Sequence, residues 1–134
     1  MGNRAVITFD TFPKAPCIYL HWNGDLASVA GFLLAADQLG LALPDDLPIP
    51  DAKTWLMDAL ADMIARRFFQ CPVGQNVHRT EYGRAYCDNR DNGVYIIDMY
   101  LQIVGRRYQP VPDEIDDRRT VGVAQAILQA EVAA

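Results

Sequence analysis

The stretch Asp88-Asn89-Arg90-Asp91-Asn92-Gly93-Val94-Tyr95-Ile96-Ile97-Asp98 carries the reading of the fold. A polar turn closing on Asn92-Gly93 runs into β-branched and aromatic residues. Asn and Gly accept the positive φ of a tight turn, so this pattern predicts a hairpin turn over 88–93 feeding a strand over 94–98. Cys17-Ile18-Tyr19-Leu20-His21-Trp22, followed by Asn23-Gly24, is a second strand of the same kind. Alternation places Ile18, Leu20 and Trp22 on one of its faces and Cys17, Tyr19 and His21 on the other.

Working outward, Arg4 to Phe9 alternates and predicts a first strand, and the prolines of 12–16 form a turn. So short a connection pairs the two strands as an antiparallel hairpin. Asp25 or Ser28 caps a helix to Leu39 with Val29, Phe32, Leu33 and Ala36 inward, and Gly40 stops it. Prolines at 44, 48 and 50 make 43–50 an extended loop. Asp51 caps a second helix to about Phe69, burying Leu56, Leu60, Met63, Ile64 and Phe68 with Trp55 and Ala59 beside them. Further strands are expected over 75–86, interrupted at Gly83, and over 101–106. Thr120 caps a last helix through Val132, with Val123, Ile127 and Leu128 inward. Strands cluster and do not alternate with helices. The expectation is therefore one α+β domain over 1–134: an antiparallel sheet built from hairpins, with two to three helices packed on one face.

The 134 residues are 51% hydrophobic and 22% charged, enough for a core and unlike a disordered chain. The longest apolar run, 29–36, falls short of the roughly 20 residues that span a bilayer. The start lacks the basic, apolar and small-residue order of a secretory leader, so a cytoplasmic protein is expected. Three cysteines, Cys17, Cys71 and Cys87, form no CxxC pair and read as reduced thiols.

Charge is unevenly spread. Between Ala36 and Asp62 six aspartates (37, 45, 46, 51, 58 and 62) face Lys53 alone. Between Arg66 and Arg107 seven arginines face four acids. Asp37, Asp45, Asp46, Asp51 and Asp58 therefore form a candidate acidic surface, suited to a basic partner and unsuited to direct nucleic-acid binding. The alternative is a solvated, solubilising face.

Chemical motifs are sparse. His21 and His78 are the two histidines, with no HExxH or paired CxxC, so no metal and no cofactor are expected. The 88–92 cluster lacks the oxygen spacing of a calcium loop. Cys17 and His21 share a strand face roughly 13 Å apart, too far for a dyad; Cys71 or Cys87 meets His78 only if the tertiary fold brings them together. No glycine-rich phosphate loop is present. A non-enzymatic protein is expected. The second candidate surface is the Arg/Tyr set of the later strands, Arg79, Tyr82, Arg84, Tyr95 and Arg106, joined by Tyr86, Tyr100, Arg107 and Tyr108. These residue types stack on and pair with a nucleotide or an acidic partner, and they also pack as Arg stems over sheet-edge Tyr.

Met1-Gly2-Asn3-Arg4-Ala5-Val6-Ile7-Thr8, Ile18-Tyr19-Leu20-His21-Trp22-Asn23-Gly24 and Asp91-Asn92-Gly93-Val94-Tyr95-Ile96-Ile97 together resemble a group of small uncharacterised proteins of phages, prophages and other mobile elements. The resemblance carries no catalytic residue. It implies an accessory protein that binds and disables a host defence or regulatory complex in the host cytoplasm, in the manner of an anti-CRISPR. The leading expectation is such an inhibitor, docking on a basic host surface. A nucleotide-binding or sequestering protein is the alternative. Hairpin sheets also leave edges on which a second copy can pair.

Overall fold

The computed structural model describes residues 2–41, 47–110 and 116–133. The chain runs β1 (Ala5–Thr8), β2 (Pro16–Leu20), α1 (Leu26–Leu39), α2 (Ile49–Met63), β3 (Val77–Glu81), β4 (Val94–Ile97), β5 (Ile103–Arg107) and α3 (Asp117–Ala133). A π-helical turn, Ile64–Phe68, extends α2, and a 3-10 turn, Tyr82–Arg84, follows β3. The fold is α+β, as expected. No helix among the described residues is long and apolar enough to cross a membrane.

The five strands lie in the order β3-β2-β1-β4-β5. β1 and β2 form the expected antiparallel hairpin, with Ile7 opposite Ile18. β2–β3 and β4–β5 are antiparallel too, but β1 and β4 are parallel, so the sheet is mixed. This corrects the hairpin expected at 88–93. β3 and β4 are not neighbours, and the chain between them crosses the sheet. Gly93 does take positive φ, 71°, but the second left-handed residue of the turn is Arg90 at 64°, not Asn92. The physical reason is that the Val6 amide donates to the Gly93 carbonyl (2.9 Å), so β1 captures the incoming strand.

Alternation sorts the sheet into two faces. Ala5, Ile7, Ile18, Leu20, Val77, Tyr95 and Ile97 join the main core with Val29, Phe32, Leu56, Leu60, Ile64 and Ile127 from the helices. All three helices contribute to this face. On the back face Val6, Cys17 and Val94 form a smaller cluster under Tyr82, Ala85 and Cys87 of the crossing segment.

Local chemistry explains the boundaries. The Asp25 carboxylate accepts the Ser28 amide (3.2 Å) and caps α1, and Gly40, at φ 62°, ends it. The strand expected over 75–86 stops at Glu81, because the Gly83 amide turns away to the Pro13 carbonyl (2.7 Å). α3 starts earlier than Thr120: Asp116 accepts the Arg119 amide (3.1 Å), and the Thr120 hydroxyl instead donates to the Ala27 carbonyl (3.1 Å). Trp55, expected beside the buried stripe of α2, stands exposed.

Candidate functional site

Three segments converge at one end of the sheet: residues 2–4, 21–25 and 89–93. The Arg4 guanidinium donates to the Asp91 carboxylate (2.8 Å) and to the Asn89 carbonyl (2.7 Å). Asn92 donates to the Asn3 side-chain oxygen (2.6 Å), and Asn3 donates to Asp25 (3.0 Å). Asp25 also accepts the Ser28 hydroxyl (2.8 Å) and the Arg119 guanidinium (3.1 Å). The stretches quoted for the family resemblance are therefore neighbours in space, on β1, β2 and β4. Burial pushes the Asp25 carboxyl up, but the bonds from Ser28 and Arg119 outweigh it and hold the group below the usual range. The hydrogen bonds from Arg4 hold Asp91 low as well. With its oxygens engaged from several sides, this corner is a structural fastening.

The back face is covered unevenly. The crossing segment covers the centre of the sheet and leaves part of β2 and β3 open. Here Tyr19 stands between both histidines. Its hydroxyl lies 3.3 Å from Nδ1 of His21, and its ring centroid lies 5.7 Å from that of His78. Trp22 meets His21 edge-on at 5.1 Å. The Arg4 guanidinium sits over Tyr86, 5.3 Å from the ring centroid. Tyr19, His78, Thr80, Arg84 and Tyr86 line an open depression of about 380 Å³. Burial pushes the Tyr19 hydroxyl up, opposed by the nearby Arg4 charge.

The expected acidic residues do not form one patch. Asp37 is exposed in the last turn of α1 and Asp51 in the first turn of α2. Asp58 is exposed too, but it accepts from Arg79, a member of the other expected set. Asp45 and Asp46 lie outside the described residues. What the helix assembles is a different exposed face, Asp51, Trp55, Asp58 and Asp62, at spacings that follow the 3.6-residue turn.

The Arg/Tyr set is divided between the two faces. Tyr95 is fully buried among the helices, its hydroxyl donating to the Gly24 carbonyl (2.8 Å), so no ligand reaches it. Arg106 covers the Tyr95 ring at 4.6 Å and donates to the Asn92 and Pro110 carbonyls. Tyr82 lies on the back face, where Arg107 donates to its hydroxyl (2.8 Å); burial pushes that hydroxyl up to about 12. Arg79 bonds Asp58 and the carbonyls of Cys17 and Thr80. Arg84 stands in solvent with one loose contact to Glu81 (3.4 Å). Of the set, Arg79, Arg84 and Tyr86 border the depression. The residues that complete it, Tyr19, His78 and Thr80, need the β2–β3 register to be seen together. Besides the Arg/Tyr set itself, the alternation of Cys17, Tyr19 and His21 was the sequence signal that pointed there.

No cysteine bonds a histidine among the described residues. Cys71 accepts from Asn76 and Cys87 donates to the Tyr82 carbonyl. Cys17 is fully buried, and that burial pushes its thiol up to about 12. No group of three potential metal ligands is found among the described residues.

No protein-family model matches the chain, and no curated protein or solved structure matches it.

Proposed function

We propose that this protein is a non-enzymatic binder of mobile-element origin that acts in the host cytoplasm. It occludes a basic surface of a host defence or nucleic-acid-binding complex, in the manner of an anti-CRISPR. The observation that carries this reading is the outward face of α2, where Trp55 stands exposed among Asp51, Asp58 and Asp62. An aromatic anchor ringed by charge suits a protein interface, and the carboxylates supply attraction to Lys and Arg. Asp58 is already paired with Arg79, so the attraction rests on Asp51 and Asp62. Arg66 and Asp62 form an exposed i,i+4 pair, which is weak and readily exchanged. The edge strand β3 is where a second copy would add to the sheet.

The test is capture from a bacterial host lysate with the wild type and with two variants, Trp55→Ala and Asp51→Lys/Asp62→Lys. A species retained by the wild type is expected to be lost with each variant and to weaken as salt screens the carboxylates. Capture unchanged by both variants removes the α2 face from the interface.

A further inference from the structure

We infer that the open part of the back face, between the Tyr19–His78 ring pair and Tyr86, is a binding site for a planar ring bearing a phosphate, with a purine mononucleotide as its simplest form. It lies on β2, β3 and the crossing segment, away from the exposed face of α2, so it stands or falls independently of the proposed inhibitor role.

Shape comes first. The cover that the crossing segment gives the back face ends at Ala85 and Tyr86, leaving an open depression of about 380 Å³. A planar ring fits such a shallow hollow better than a bulky or elongated ligand does. The walls present π surfaces. Tyr86 is 54% exposed, and Tyr19 is held in place through its hydroxyl against His21. Base-on-aromatic stacking needs such fixed, partly exposed rings and tolerates many bases.

Polar groups come second. The ring nitrogens of His78 and the hydroxyl of Thr80 have no hydrogen-bond partner among the described residues, although both residues line the hollow. They are available to the edge of a base or to a ribose hydroxyl. The charge comes from Arg84, whose side chain is 81% exposed and touches Glu81 at a single 3.4 Å contact. So loose an exposed pair gives way to a phosphate, which accepts two parallel bonds from a guanidinium. Arg79 takes no part in this step, because Asp58 and two backbone carbonyls already occupy it. Arg4 is likewise committed to Asp91 and Asn89, and it fixes a positive charge against the Tyr86 ring.

Both histidines of the chain flank Tyr19, so the imidazole C2 proton signals report this site directly. The full chain is titrated at neutral pH with AMP, with adenosine and with inorganic phosphate in separate experiments. The expected result is a saturable shift of the His78 signal with AMP, a weaker one with adenosine, and none with phosphate. Arg84→Ala is expected to weaken AMP about tenfold, the loss of one charge-assisted contact, and to leave adenosine unaffected. Because Arg84 is a solvated side chain outside the core, the variant keeps the fold, and its unchanged His21 signal verifies this. Three results overturn the inference. No saturable shift with AMP removes the site. Phosphate acting alone as well as AMP removes the ring. Equal affinity for AMP and adenosine, unchanged in Arg84→Ala, removes the phosphate.

Discussion

Asn89 is fully buried, yet every polar atom of its side chain is engaged. Its Oδ1 accepts the amides of Asp91 (3.0 Å), Asn92 (3.2 Å) and Gly93 (3.2 Å). Its Nδ2 donates to the Tyr86 carbonyl (3.3 Å). One side chain thus does for this turn what a strand partner does for a hairpin. Asn89→Ala leaves the Asp91 and Gly93 amides without an acceptor, the Asn92 amide keeping the Arg4 carbonyl (3.1 Å), and is expected to cost about 3 kcal/mol, read from a urea titration. Asp25 and Asp91 give the chain its acid sensitivity. Both have folded pKa values below their ordinary ones, so the stability they contribute is complete above an unfolded value of about 3.9. It is lost as pH falls from there through the folded values. The denaturation midpoint of Asp25→Asn/Asp91→Asn is expected to depend less on pH over that window than the wild type does. Cys17 carries essentially no thiolate at neutral pH, its thiol being buried and pushed up to about 12. Iodoacetamide is expected to leave Cys17 unmodified in the native protein and to label it only on unfolding, as followed by peptide mass mapping.

Among the elements, α1 and α3 meet through Gly31. A Cβ there would lie 2.7 Å from both the Thr120 carbonyl oxygen and Cβ of Val123, so the glycine lets the two backbones approach. That approach also brings Arg119 to Asp25 and the Thr120 hydroxyl to Ala27. Gly31→Leu would push α3 outward and is expected to cost about 3 kcal/mol, the upper range of overpacking, measured by thermal and urea unfolding. Elsewhere the pairing of β4 and β5 is irregular between Ile96 and Ile97, and Val104 projects outward with 61% exposure. A bulged edge strand resists pairing with a further strand. The exposed face of α2 follows from the same helical period that buries Leu56, Leu60 and Ile64. Its polar side was always going to face outward, but Trp55 falls on that side only because of how the helix is rolled against β2 and β3.

At the scale of the whole molecule, the charge asymmetry along the sequence does not become two separate poles. Lys53 reaches Asp10 (3.0 Å), Arg79 reaches Asp58, and Arg119 reaches Asp25, so acidic and basic segments interlock across the fold. The acidic character is retained on α2 and at Asp37, and the open rings lie on the other side of the sheet. The sequence by itself determined the α+β class, the β1–β2 hairpin, a cap at Asp25 or Ser28, the stop at Gly40 and the inward stripes of the helices apart from Trp55. Each rests on interactions a few residues apart, where periodicity and turn chemistry are written directly into the letters. Only the tertiary structure decided that β4 runs parallel beside β1, that Tyr95 is buried while Tyr86 is open, and that Tyr19 and His78 share a surface. Those outcomes depend on which strand edge captures the chain after residue 81. That choice turns on contacts between residues some 60 to 90 positions apart, such as Arg4 with Asp91 and Tyr19 with His78, which no local pattern encodes.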